Sequence, residues 1–378
     1  MSYLASIWPY IVPFLVVITV LVFVHELGHY LVARWNGVRV EVFSIGFGPE
    51  LFGWTDKVGT RWKFSLIPLG GYVRMLGDQD ESSRPGETFE ALSAEERNAS
   101  LHAKTPWQKI AVSIAGPAAN YIFAILVLCV LYATVGQKYL STEISSVVQD
   151  GAAQKAGLQA GDRIVRVDHA PVKTFTDVQT LIRDHPGLPM EIEFIRQEQN
   201  LSLVITPDVQ ELKDGLGRVK KIGALGIARS GVESFEKLSF GEAVHASFKD
   251  TWKLTVGMLE GIWQIIIRER STEELGGPLR IAKIAGDVAQ SGIVNLIWLM
   301  ALLSINLGLI NLFPIPMLDG GHVAFYFVEA IRGKPLSVKV VDFAYRFGLA
   351  FIVGLMLLSF WNDLLHLGVV KWVVGLWS

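Results

Sequence analysis

IWPYIVPFLVVITVLVFVHELGHYLVARW, residues Ile7 to Trp35, carries no charge before Glu26 and then places HELGH, His25 to His29, near its end. An apolar run of this length crosses about 30 Å of hydrocarbon as a helix. On that helix His25 and His29 are four residues apart and share one face. Two neutral imidazoles so placed bind one Zn²⁺, and Glu26 beside the first of them polarises its water. The bland reading is a structural histidine pair. Ionisable side chains in a bilayer are costly and usually face a protein interior where they function, which favours the metal site.

Working outward, the 378-residue chain is 51% hydrophobic and only 19% charged, too apolar for an ordinary soluble domain. Further spans are expected at Ile110–Gln137, Ser291–Leu318 and about Phe343–Trp361, giving an α-helical membrane protein with about four transmembrane helices and a soluble insert. The first run lacks a basic leading region and is not read as a cleavable signal. A net charge of −2 with no long basic run gives no reason to expect nucleic acid as a partner; membrane lipid is the expected surroundings. The single cysteine, Cys129, excludes an intramolecular disulfide and a cysteine-based zinc site.

Basic residues in short loops favour the cytoplasm. None precedes Arg34, whereas Arg34, Arg39, Lys57, Arg61, Lys63, Arg74, Arg84, Arg97, Lys104 and Lys109 lie between the first two spans, and Arg332, Lys334, Lys339 and Arg346 follow the third. The N-terminus is therefore expected outside, HELGH towards the cytoplasmic side, and residues from about Lys138 to Gln290 outside. The expected divisions are 1–137, 138–232, 233–290 and 291–378.

A hydrolytic zinc takes three protein ligands and keeps one position for water. NLFPIPMLDGGH offers Asp319, where Pro314 and Pro316 prevent a regular helix and Gly320 and Gly321 allow close backbone approach. Irregular backbone at membrane depth belongs where it is buried in protein or lines a polar cavity. Asp319 can alternatively be a turn or cap aspartate, and His322 is a rival ligand.

HELGH in a first span, AGPAAN at Ala115–Asn120 in a second and SINLGLINLFPIPMLDGG at Ser304–Gly321 in a third together resemble the site-2 proteases, of the RseP-like intramembrane zinc metalloprotease kind. That resemblance implies His25, His29 and Asp319 as ligands of Zn²⁺ and Glu26 as the catalytic acid/base. It implies that Asn306, Asn311, Pro314 and Pro316 shape the site for an unwound substrate. It further implies single-pass membrane protein substrates, anti-sigma factors already trimmed by another protease or remnant signal peptides, and a bacterial inner-membrane location.

VRVEVFSIGFGPELFGW and TRWKFSLIPLGGYVRML read as a β-hairpin pair between the first two spans, an ordinary cytoplasmic sheet in the bland reading. In the family resembled, this region dips into the membrane, and a strand near Pro68–Tyr72 pairs with substrate. Gly70 and Gly71, beside Tyr72, permit close approach. Residues 77–104 read as a solvated loop with some helix. In the insert, SSVVQDGAAQKAGLQAGDRIVRVDHAPV resembles a PDZ fold, an α+β domain. Its groove helix is expected at Thr176–Asp184, strands at Met190–Arg196 and Asn200–Thr206, and a carboxylate-loop strand, moved to the end by permutation, near Gly223–Ile227. Such a unit binds a peptide C-terminus or acts only as a steric filter. Ser234–Ile267 reads as amphipathic and interfacial, as does the tail from Leu364. A non-catalytic PDZ scaffold and a metal transporter are the competing functions. Neither needs a carboxylate adjacent to the first ligand, and hydrolysis does.

Overall fold

The computed structural model describes residues 2–78, 92–213, 219–229, 233–274 and 276–366. Its long helices are α1 (Ser2–Trp35), α2 (Pro106–Thr134), α5 (Phe240–Ile266), α7 (Ile293–Asn311) and α9 (Val338–His366); α6 (Pro278–Gln290) and α8 (Asp319–Arg332) are shorter. α1, α2, α7 and α9 are long and apolar enough to cross a membrane. The third is shorter than the expected Ser291–Leu318, because Pro314 and Pro316 cannot continue the helix and the chain restarts only at Asp319. Contacts divide the described chain into two units, 131–243 and the remainder.

In the first unit, β1 (Val40–Thr55) and β2 (Arg61–Met75) form one long antiparallel hairpin, a single hairpin where two short ones were expected. Its register shifts repeatedly, with bulges from Val40 to Phe52, so the ribbon bends as it leaves its base. The base is anchored. Val40, Phe43, Val73 and Met75 form one buried cluster with Ala33, Leu101 and Val112. A second cluster joins Val17 and Leu21 of α1 to Ala285 of α6 and to Leu296 and Leu299 of α7. α1 and α2 approach closely because Gly28 faces α2: a side chain there would meet the Ala115 carbonyl and come within 2.7 Å of the Ala119 Cβ. In the segment read as a loop with some helix, a short helix spans Ala94–Asn98 and a 3₁₀ turn Leu101–Ala103; residues 79–91 of it, and 367–378 of the tail, lie outside the described residues.

The second unit is a small α+β assembly. β5 (Arg163–Val167), β6 (Ala170–Pro171), β7 (Met190–Arg196) and β8 (Gln199–Ile205) form an antiparallel sheet in the order β6-β5-β7-β8. β3 (Gln137–Leu140) pairs with β12 (Glu233–Glu236), β4 (Ile144–Val147) with β11 (Ile227–Arg229), and β9 (Asp208–Lys213) with β10 (Val219–Ala224). Leu225 and Gly226 are therefore a turn between two strands, not part of one strand over 223–227. α3 (Ala152–Ala156) ends on a left-handed Gly157, and α4 (Phe175–Arg183) starts in a capping box in which Thr174 and Asp177 satisfy each other's amides. The core is conventional: Ile144, Ile164, Ile192 and Phe194 are at most 1% exposed.

Candidate metal centre

α1 holds both histidines on one face, and α8 begins at Asp319, so the site forms where a regular helix meets the restart after a broken one. His25 Nε2 and His29 Nε2 lie 3.2 Å apart. His25 Nε2 is 3.1 Å from Asp319 Oδ2, and His29 Nε2 is 3.4 Å from Asp319 Oδ1. Two donors each bound at about 2.0–2.1 Å to one tetrahedral ion stand roughly 3.3 Å apart, so this donor set fits Zn²⁺. The three residues are the metal-capable group found among the described residues.

The surroundings support that fit. His29 Nδ1 donates to the Val112 carbonyl of α2 at 2.8 Å, which leaves its Nε2 lone pair facing the other donors. Gly116, also on α2, stands opposite both rings: a Cβ there would lie 2.8 Å from His25 Nε2 and closer still to His29 Nε2. The absent side chain keeps open the space into which the donors point. Asn120, one turn further along α2, contacts His25 Nδ1 at 3.2 Å.

Glu26 lines the same cavity, of about 300 Å³, together with Val73 of β2. Gly71 is the contact point of hairpin and helix, since a Cβ there would be 2.9 Å from the Val22 side chain and 3.4 Å from Glu26 Cγ. Gly70 adopts φ +122°, which L side chains rarely take. Gly70, Gly71, Tyr72 and Asn311 all line the cavity with the three donor residues. Asn306, Pro314 and Pro316 are not among its lining residues. Pro316 instead packs into the fold, where a Cβ on Gly348 of α9 would come within 2.8 Å of its ring and a Cβ on Gly321 within 2.8 Å of its Cα. His322 lines the cavity one turn after Asp319 but meets the Tyr345 hydroxyl at 3.2 Å rather than joining the three-donor group.

Sequence reasoning did not assign Val112, Gly116, Asn120 or Met317 to the site. The first three recur every fourth residue and so form one stripe on α2. A glycine and an asparagine four apart inside an apolar span are the signal that could have found them. Met317 lines the cavity with a left-handed backbone, φ 84°, strained for a non-glycine residue, and nothing in its side chain announces that.

The sequence profile of Peptidase family M50 matches residues 13–355. A relative from Rhizobium meliloti named "putative zinc metalloprotease" is 40% identical over 99% of this chain and 100% of its own length. Another of that name from Agrobacterium fabrum is 42% identical over 94% of this chain and 95% of its own. The metalloprotease MmpA of Caulobacter vibrioides is 34% identical over 97% and 98%. Among solved structures, the PDZ domain of an SdrC-like protein from Listeria monocytogenes is 23% identical, covering 24% of this chain and 88% of its own, with a TM-score of 0.19. The chain thus belongs to Peptidase family M50, the site-2 protease family, and is a zinc metalloprotease.

Proposed function

We propose that the protein is an intramembrane protease that hydrolyses peptide bonds within the transmembrane segments of single-pass membrane proteins, with His25, His29 and Asp319 as zinc ligands. The observation that carries this reading is the convergence of those three donors with Glu26 on one cavity, at the end of a helix apolar enough to span a membrane.

Zn²⁺, when bound, supplies Lewis acidity towards the scissile carbonyl and the attacking water. Glu26 accepts a proton from that water at its carboxylate and delivers it to the leaving amide nitrogen. Asn311 reaches the cavity from the end of α7 and offers an amide to the substrate backbone. A transmembrane helix hides its carbonyls in its own hydrogen bonds and must be extended before attack. The Gly70–Tyr72 part of β2, at the cavity wall, holds the extended segment by strand addition. In this reading the protein lies in a bacterial inner membrane with the site towards the cytoplasm, and the insert restricts entry to substrates already trimmed by another protease.

The test is the purified full-length chain in liposomes with a single-span substrate in two forms, trimmed and carrying a folded ectodomain. Cleavage mapped by mass spectrometry within the hydrophobic segment, and only in the trimmed form, is expected. Equal cleavage of a water-soluble protein would contradict the intramembrane reading, and equal cleavage of both forms would contradict the entry filter.

A further inference from the structure

The stripe Val112, Gly116, Asn120 runs antiparallel to His25 and His29, so each histidine meets its own partner on α2: His29 the Val112 carbonyl, His25 the Asn120 side chain. These partners differ in kind. A carbonyl only accepts, and so fixes the His29 proton on Nδ1. An asparagine amide both donates and accepts, and so leaves the His25 proton undetermined. Asn120 is 0% exposed; its Nδ2 stands 3.2 Å from His25 Nδ1, and its Oδ1 has no hydrogen-bond partner. With the amide in that orientation it donates to Nδ1, the ring proton sits on Nε2, and Nε2 cannot ligate a metal. Turned over, the amide presents Oδ1 to Nδ1–H and frees the Nε2 lone pair. One amide atom stays unpartnered in either orientation, so the choice falls to Nε2: the Asp319 oxygen 3.1 Å away accepts its proton and favours the first orientation, whereas a metal bound at Nε2 favours the second. The residue is also held in place from behind, because Ser304 of α7, itself 0% exposed, donates to the Asn120 backbone carbonyl at 2.8 Å.

We propose that Asn120 is the positioning residue of His25: its Oδ1 accepts the Nδ1–H of the metal-bound tautomer, and the amide turns over when the metal leaves. This rests on the assignment of His25 as a zinc ligand. Outer-sphere partners of ligating histidines typically matter about 10–100-fold in metal affinity. The assignment also accounts for the polar end of the AGPAAN stretch, whose Gly116 makes room for the donors.

The experiment is chelator competition for Zn²⁺ on the purified full-length protein, paired with the visible absorption of the Co²⁺-substituted form. Asn120→Ala is expected to weaken zinc binding about 10–100-fold and to alter the Co²⁺ bands. Asn120→Asp, which presents only acceptors at the same place, is expected to bind zinc at least as tightly as wild type. Zinc affinity of Asn120→Ala within two-fold of wild type would overturn the proposal. So would a ten-fold loss in Asn120→Asp, and that arm decides alone if the alanine variant does not fold. His25→Ala separates the two claims: retained zinc affinity there sinks the ligand assignment, whereas its loss alongside an unaffected Asn120→Ala sinks only the role of Asn120.

Discussion

The two units of the molecule differ in how many large apolar side chains they expose. In residues 131–243, large apolar side chains go inside, with Ile192 and Phe194 at most 1% exposed. On the long helices of the other unit, Leu126 is 60% exposed, Leu357 66% and Phe343 74%, while Asn120, Ser304 and Asp363 are each 0% exposed. Such exposure suits hydrocarbon surroundings, where apolar surface gains nothing by being buried. One unit rests on its buried apolar core; the other adds to its own buried apolar clusters close backbone approach and buried polar groups. Only the second arrangement delivers two imidazoles and two carboxylates to a cavity among helices apolar enough to span a membrane, so the packing that builds this unit also builds its site.

The sharpest way to break this contrast is Gly116→Ala, one added methyl group between α1 and α2. Its Cβ collides with the Nε2 atoms of His25 and His29, and displacements of that order cost about 100-fold in rate. We expect hydrolysis of a single-span substrate to fall by at least about that factor, with substoichiometric zinc by elemental analysis. Next comes Ile192→Ala, which opens a cavity in the conventional core and should cost about 2–5 kcal/mol in denaturant unfolding while leaving zinc content unchanged. A loss of zinc in that variant would show that the two units are not independent in this respect.

Asp363→Ala probes polar satisfaction. Asp363 on α9 accepts from the backbone amides of Gly277, Leu279 and Arg280 at 2.8, 3.0 and 3.2 Å, and so caps α6, whose own N-cap residue is glycine. Its loss should cost about 1–2 kcal/mol, read as a lower thermal midpoint and faster amide exchange at the start of α6. Leu126→Ala, a larger deletion of carbon but on an exposed face, should stay within about 0.5 kcal/mol. A cost above 2 kcal/mol there would refute the exposed placement of that face.

The smallest effect is a pH dependence at the hairpin turn. Partial burial pushes the Asp56 carboxyl up, but hydrogen bonds from the Trp62 indole, the Thr60 and Val58 amides and the Tyr30 hydroxyl outweigh it and hold the group below its ordinary value of 3.8. Because the folded value is depressed, the stabilisation is complete above the ordinary value and disappears as pH falls through the folded one. The thermal midpoint of wild type should therefore drop more steeply than that of Asp56→Asn as pH is lowered past 4, and parallel curves would remove Asp56 from the account.

The contrast also explains what the sequence could reveal. His25, Glu26 and His29 were legible because helical periodicity alone puts the two histidines on one face. β7 was legible to the residue, as Met190–Arg196 alternates apolar and polar side chains. The break after the third helix was legible from Pro314 and Pro316, but its last residue, Asn311, was not, because apolar composition continues through Leu312, Phe313 and Ile315. The stripe on α2 stayed hidden for a deeper reason. Which residues of one helix face His25 depends on the register of two packed helices, and that register is set by Gly28 against Ala115 and Ala119, contacts far apart in sequence. Asn306, Pro314 and Pro316 share a segment with Asn311, but composition cannot tell which members turn to the cavity.

The central claim is metal-assisted hydrolysis with Glu26 moving the proton. Its most direct test is Glu26→Gln in the purified full-length protein, measuring bound zinc and cleavage of a trimmed single-span substrate on the same sample. The account predicts wild-type zinc content with cleavage reduced by about 10²–10⁴-fold. A zinc-replete Glu26→Gln protein that cleaves at the wild-type rate would contradict it.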